Sequence, residues 1–146
     1  MIIAYNKPIT FGRHGTAKDL QCTGIDFSED GNHSWTKAPV AEFAIQLPVA
    51  RQEVLLQLEA APFIIPESVT AQKVFVFVGG LFTGYCSFTE PEVRAFPLNR
   101  NALSGRALHL SLVIPTATSP ASLRISDDER ELGICLTSII FKSGPE

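Results

Sequence analysis

Ser119 to Phe141 reads SPASLRISDDERELGICLTSIIF, and its two halves ask for opposite surroundings. Ser119-Pro120 favours a turn, because the residue before a proline is pushed out of the helical region. Asp127-Asp128-Glu129-Arg130-Glu131 places five charges in succession, which enter a core only if they are paired. From Leu132 to Phe141 nearly every residue is apolar or small, as in a buried strand. A solvated or ion-paired corner thus leads into a final strand. Upstream of it, Pro120 to Leu123 is the best helical candidate in the chain, and it amounts to one turn.

The strand pattern extends backwards from there. Leu108, Leu110, Leu112 and Ile114 face one way, His109 and Ser111 the other, and Pro115 stops the run. Glu92 to Leu98 is a shorter strand, marked as an edge by Pro97, which cannot donate to a ladder. Gln72 to Val78, QKVFVFV, is apolar on both faces, as a central strand covered on both sides would be. Gly79-Gly80 then turns the chain into a hairpin with Leu81 to Phe88. Val54, Leu56 and Leu58 alternate with Leu55, Gln57 and Glu59 until Pro62, and Ala41, Phe43, Ile45 and Leu47 alternate with Glu42 and Gln46 until Pro48. Before Thr23 the one regular signal is Ile2-Ile3-Ala4-Tyr5, read as a short strand in an otherwise irregular first ten residues. About eight short strands separated by Pro and Gly, with no helical period over three turns, predict an all-β sandwich or barrel. There is no repeat and no linker, so residues 1–146 are expected to form a single domain.

A chain of 146 residues buries about two thirds of the surface it would expose unfolded, so one core suffices. A net charge of −3 supplies no basic field for a phosphate backbone, which argues against nucleic acid as partner. Only 18% of the residues are charged, against about a quarter in an average domain, and this leaves apolar surface for a neighbouring domain or subunit to cover. Cys22, Cys86 and Cys135 lie far apart with neither disulfide nor zinc spacing, and read as small hydrophobes in a reducing compartment. No stretch has signal-peptide character or membrane-spanning length. A soluble, cytoplasmic chain is the expectation.

Nucleophile-elbow, zincin, P-loop and dinucleotide signatures are all missing, and His14, His33 and His109 are scattered. A non-enzyme is therefore expected. Two constellations carry chemistry. Glu29-Asp30-Gly31-Asn32-His33-Ser34-Trp35 combines a flat aromatic with the carboxylates and amides that sugar hydroxyls need. Against this, Trp35 can simply fill the end of a sandwich, which is the favoured reading for that residue; for Glu29, Asn32 and His33 both readings stand. In the second constellation, Asp127 and Asp128 supply oxygens for a hydroxylated ligand or a calcium ion. Its other reading, the favoured one, makes Asp128 and Arg130 a bidentate structural pair. No cofactor is called for, and no specific motif supports a structural calcium.

With these residues in view, the chain resembles a family of jelly-roll, carbohydrate-binding-module-like domains attached to bacterial glycosyltransferases and surface-polysaccharide proteins. The resemblance rests on three stretches, running from about residue 9 to the C-terminus. They are the Gly24, Phe27, Glu29, Gly31, Trp35-Thr36 series with AEFAIQLP (Ala41 to Pro48), then QKVFVFVGG (Gln72 to Gly80), then Leu110 to Ile139 with its Ser-Pro, Ser-x-Asp-x-Arg and Leu-Gly elements. The chain departs from the pattern at Gly79, where asparagine is usual, and at Ile25, where tryptophan is frequent. The resemblance implies an antiparallel two-sheet jelly roll acting as a non-catalytic accessory module in a bacterial glycan-building system. The resemblance puts Glu29, Trp35, Asp128 and Arg130 on its recurring polar and aromatic positions; together with the loop composition it gives as the expected ligand a carbohydrate or nucleotide-sugar-like molecule, held by Glu29, Asn32, His33 and Trp35 with Asp127, Asp128 and Arg130 alongside. The alternative is a structural module that packs on a partner enzyme such as a glycosyltransferase, or that forms a homodimer.

Overall fold

The computed structural model describes residues 2–144. Its strands are β1 (Ile9–Thr10), β2 (Cys22–Thr23), β3 (Ile25–Asp26), β4 (Ser34–Thr36), β5 (Val40–Gln46), β6 (Val54–Pro62), β7 (Gln72–Val78), β8 (Leu81–Phe88), β9 (Glu92–Leu98), β10 (Ala107–Val113) and β11 (Ile134–Ser143). Two short 3-10 turns, Thr16–Asp19 and Arg100–Ala102, are the helical elements among the described residues. One sheet runs β3-β4-β11-β6-β9, with β1 also paired to β11, and the other runs β2-β5-β10-β7-β8. Every strand pairing is antiparallel. The fold is an all-β, two-sheet jelly roll.

Period-two alternation fills the space between the sheets. Ala41, Phe43 and Ile45 of β5 meet Leu56 and Leu58 of β6, Val74 and Val76 of β7, and Ile139 and Phe141 of β11 in one buried cluster. Each of the larger side chains in it contributes roughly 1.5–3 kcal/mol on leaving water, so the interlayer packing dominates stability. The Gly79-Gly80 turn has φ of 60° and 80°, the pair of left-handed conformations that a two-residue hairpin turn of this twist requires. β9 is an edge, with Pro97 opposite Leu55.

Three expectations change. The N-terminal strand is Ile9–Thr10, opposite Ile139 and Ser138, whereas Ile2 to Tyr5 forms no strand and is tied down by the Ile3 amide donating to Gln46 O (2.7 Å). Short pairings can arise wherever a neighbouring edge is open, and no local period announces them. The last strand begins at Ile134, two residues later than its apolar run, because Leu132 is used in a bridge to Thr118. β7 is not covered on both sides. Its inner face, Val74, Val76 and Val78, is buried, but Phe75 and Phe77 point outward and are half-buried only because aromatic rings of β8 lie beside them.

The few polar side chains in the interior act as ties. Gln72, fully buried, donates to Phe63 O (2.9 Å) and accepts from the Thr116 hydroxyl (2.8 Å), joining the ends of three segments. Thr36 Oγ1 accepts from the Ile134 amide (3.0 Å), and Ser34 Oγ from the Gly12 amide (2.8 Å). The Leu-Gly element of the final stretch is explained by this crowding. A Cβ on Gly133 would stand 2.9 Å from Thr36 Oγ1 and 3.0 Å from Ile114 Cγ2. Gly133→Ala is expected to lower the urea midpoint at unchanged slope, by the roughly 1–3 kcal/mol of an overpacked site. An unchanged midpoint would show that Thr36 and Ile114 move aside freely.

Candidate functional site

Two regions concentrate polar and aromatic side chains, and they lie on different sheets. The first is the corner where the Ser119–Glu131 loop meets β3 and β4. Pro120 to Arg124 makes a tight turn, held by Ser122 N donating to Ser119 O (3.1 Å), by Ile125 N donating to Pro120 O (3.0 Å), and by Ala121 N donating to Asp128 O (2.8 Å). Asp128 Oδ1 accepts from the Arg130 amide (3.0 Å), while its two oxygens take Arg130 Nε and Nη2 at 3.0–3.1 and 2.7 Å. Arg130 Nη1 reaches across the fold to Asp26 Oδ2 on β3 (2.8 Å), and Glu29 Oε1 lies 3.7 Å away.

One guanidinium thus gathers Asp26, Glu29 and Asp128. Hydrogen bonds from Ser28, then from Arg130, hold the Asp26 carboxyl below its ordinary value, and Arg130 does the same for Asp128. These carboxylates raise the Arg130 pKa further, so the group stays charged at any accessible pH. The arrangement does not suit calcium, because the guanidinium fills the space between the carboxylates. Among the described residues no group of three or more His, Cys, Asp or Glu side chains could hold a metal ion.

Trp35 adjoins this corner. It lies on β4 between Asp26 and Cys135, half-buried, with Phe63 edge-on at 6.2 Å. Burial, then the Glu29 charge, pushes the Cys135 thiol up to about 11. The loop before Trp35 is pinned from the other side by Arg13, which pairs with Asp30 (2.8 Å) and whose amide donates to Glu29 O (2.8 Å). Of the residues singled out in the sequence, the structure therefore gathers Glu29, Trp35, Asp128 and Arg130. Asn32 and Asp127 are exposed and outside that network, and the His33 ring packs on Gly31. Asp26, which joins the two loops, was missed; it is one carboxylate in an aperiodic loop, and only the fold brings Arg130 to it.

The second region is the outer face of the five-stranded sheet. Phe75 and Tyr85 are cross-strand partners with ring centroids 4.8 Å apart, and Phe77 and Phe82 are partners at 5.7 Å. Phe82 is 61% exposed and Tyr85 45%. Beside this aromatic strip, Ser111 on β10 faces Phe77 and donates its hydroxyl to Glu42 Oε2 on β5 (2.9 Å). Past Glu42 the surface opens into a groove of about 510 Å³, floored by Ala44, with His109 on one side and Gln21 to Thr23 on the other. Aromatic faces next to oriented hydroxyl and carboxylate groups form a surface that can take a flat, partly apolar, hydroxyl-rich molecule. A signal for it existed in the doubly apolar QKVFVFV: on a sandwich, a strand's second apolar face has no layer above it.

The class of protein is set by the fold, a jelly-roll β-sandwich, and solved structures share it. A family 36 carbohydrate-binding module solved with calcium and xylotriose is 15% identical (TM-score 0.51), over 93% of this chain and 99% of that one. The CBM36-1 domain of a multidomain xylanase from the hindgut metagenome of Trinervitermes trinervoides is 9% identical (TM-score 0.54), over 96% and 98%. A family 35 carbohydrate-binding module from Clostridium thermocellum is 10% identical (TM-score 0.55), over 94% and 99%. At these identities the likeness is one of fold. No family profile matches the sequence, and no curated protein does.

Removing the guanidinium tests the corner. Arg130→Met is expected to lower stability by about 2 kcal/mol, the order for hydrogen bonds to a partly buried charge. Wild type should hold full stability above the ordinary carboxyl value of 3.8 and lose it as pH falls through the lower folded values of Asp26 and Asp128, since the unfolded chain takes up protons first. In Arg130→Met this acid limb should flatten, leaving the part that Ser28 sustains at Asp26. Superimposable acid limbs would show that Arg130 does not hold the two carboxyls.

Proposed function

We propose that this domain is a non-catalytic carbohydrate-binding module, accessory to a bacterial glycan-building enzyme, whose ligand lies on the outer face of the five-stranded sheet. The observation that carries the reading is the outward-facing pair of aromatic couples, Phe75 with Tyr85 and Phe77 with Phe82, beside the Ser111–Glu42 hydrogen bond. A pyranose presents C–H bonds on its flat faces and hydroxyls around its rim. Aromatic rings bind the first and fixed acceptors bind the second. The shared fold with carbohydrate-binding modules supports the reading, one of them solved with xylotriose.

The loop corner has less to offer a ligand, since the Asp128 carboxylate and the Arg130 guanidinium already bind each other and Asp26. Attachment to a glycosyltransferase is supported by the Leu110 to Ile139 resemblance, and a reducing, cytoplasmic setting by three unpaired cysteines whose thiols burial raises to about 11. A second reading draws on the same exposed rings, with Leu81 and Phe82 packing against the matching face of another copy.

Affinity electrophoresis against a panel of neutral and acidic bacterial polysaccharides, followed by calorimetry with the retained ones, tests the function. Phe77→Ala/Phe82→Ala should weaken binding at least about tenfold, a loss of roughly 1.4 kcal/mol, with the fold intact by circular dichroism. Trp35→Ala should leave affinity within about threefold. Loss of binding in Trp35→Ala alone would move the ligand to the loop corner. Retention of no polysaccharide, together with a dimer in sedimentation that Phe82→Ala dissolves, would replace the carbohydrate reading with the dimer.

A further inference from the structure

The strand register aligns the outward residues in a row that crosses the whole five-stranded sheet. Phe82 lies opposite Phe77, Phe77 opposite Ser111, Ser111 opposite Glu42, and Glu42 opposite Thr23. Four strand spacings of about 4.8 Å make this row about 19 Å long. Its chemistry changes along its length, from two rings, through a hydroxyl, to a carboxylate and a second hydroxyl at the groove. The neighbouring row, Tyr85, Phe75, Val113 and Val40, has only the Tyr85 phenol as a polar group. Along β7 the aromatic surface ends at exposed Lys73 in one direction and at the Gly79 turn in the other.

Resting on the carbohydrate reading above, we propose that the ligand is an uncharged oligosaccharide laid across the strands along this row. One sugar ring stacks on Phe82 and Phe77, and a later unit presents adjacent hydroxyls to Glu42. Ser111 fixes the Glu42 carboxylate through Oε2, and among the described residues Oε1 accepts no hydrogen bond. Oε1 is thus a fixed acceptor at the mouth of the groove, and an acceptor that carries charge demands a donor. Sugar hydroxyls donate; the ionised carboxylate of a uronate, like a sulfate or phosphate group, does not, and meets a like charge at close range. Lys73 lies two positions beyond Phe75 from this row, and His109 borders the groove beside Ala44, so neither displaces Glu42 as the charge nearest the ligand path. Ala44 provides the room: a larger side chain there would close the groove floor next to Glu42.

Calorimetry with neutral xylo-, cello-, manno- and laminari-oligosaccharides of increasing length, against matched uronate-containing chains, tests the orientation and the charge selection. Affinity should climb as a chain grows long enough to reach from Phe82 to Glu42 and level off beyond that length. Glu42→Gln and Phe82→Ala should each weaken the long neutral ligand about tenfold. For a disaccharide, only one of the two variants should matter. Glu42→Gln should also narrow the preference for neutral over uronate chains, an effect that simple loss of structure does not produce. If length brings no gain, or if Glu42→Gln leaves both affinity and charge preference unchanged while Phe82→Ala abolishes binding, the cross-strand site is wrong and the carbohydrate reading survives. If no oligosaccharide or polysaccharide binds at all, the carbohydrate reading falls and this proposal with it.

Discussion

The pairing of β11 with β6, from Ile134 opposite Pro62 to Ser143 opposite Val54, is the constraint on which the other elements depend. β11 also receives β1 and β4, so four strands of the six-stranded sheet meet through the last segment of the described chain. Its inward residues, Ile134, Leu136, Ile139 and Phe141, are buried to within a percent or so. A register slip between Leu136 and Ser138 lets the strand serve β4 on one stretch and the full length of β6 on the other. Such an arrangement is non-local by construction, since the hub strand follows in sequence every strand it pairs with. Loop-closure entropy must be overcome before the sheet is rewarded, which favours slow, cooperative folding.

The charged corner is understandable as part of that arrangement. Ser119 to Glu131 must bring the chain from β10, in one sheet, to β11, in the other, without helix or strand to satisfy its backbone. Asp128 takes on much of that task, accepting from the Arg130 amide through its side chain and from the Ala121 amide through its carbonyl. Arg130 then ties the loop to β3 through Asp26, 104 residues away in sequence. With side-chain exposures of 31% and 18%, the Arg130–Asp26 pair is shielded enough to resist salt, yet wet enough to avoid a large desolvation cost. A dense polar cluster here marks the closing of the sandwich.

The outer face of the other sheet follows a different logic. Aromatic rings left on a solvent-facing sheet surface favour association, and proteins limit that risk when the surface has no occupant. Here the rings lie near an edge strand, β8, whose ladder is broken by an irregularity between Val76 and Phe77. Gly84 lets Phe96 of β9 pack directly on the β8 backbone, which draws that edge toward the opposite sheet. Edge pairing is thereby discouraged while the rings stay accessible.

Much of the architecture was legible from one-dimensional patterns. Alternation in β5, β6 and β10 named which residues face the core, Gly79-Gly80 named the hairpin, and Pro97 named an edge, because each depends on local stereochemistry. The charge run at Asp127 to Glu131 likewise announced an ion-paired corner, and the Asp128–Arg130 pair, two residues apart, was within reach of sequence reasoning. Asp26 was not, and neither were the short strands β1 to β4, whose partners lie far along the chain. The row from Phe82 to Thr23 was invisible for the same reason. Its members come from five strands, and only the antiparallel register places a phenylalanine, a serine and a glutamate side by side. Local sequence thus determined which residues point inward; the pairing of distant strands decided which of the outward ones became neighbours, because that choice depends on the packing of the whole sandwich.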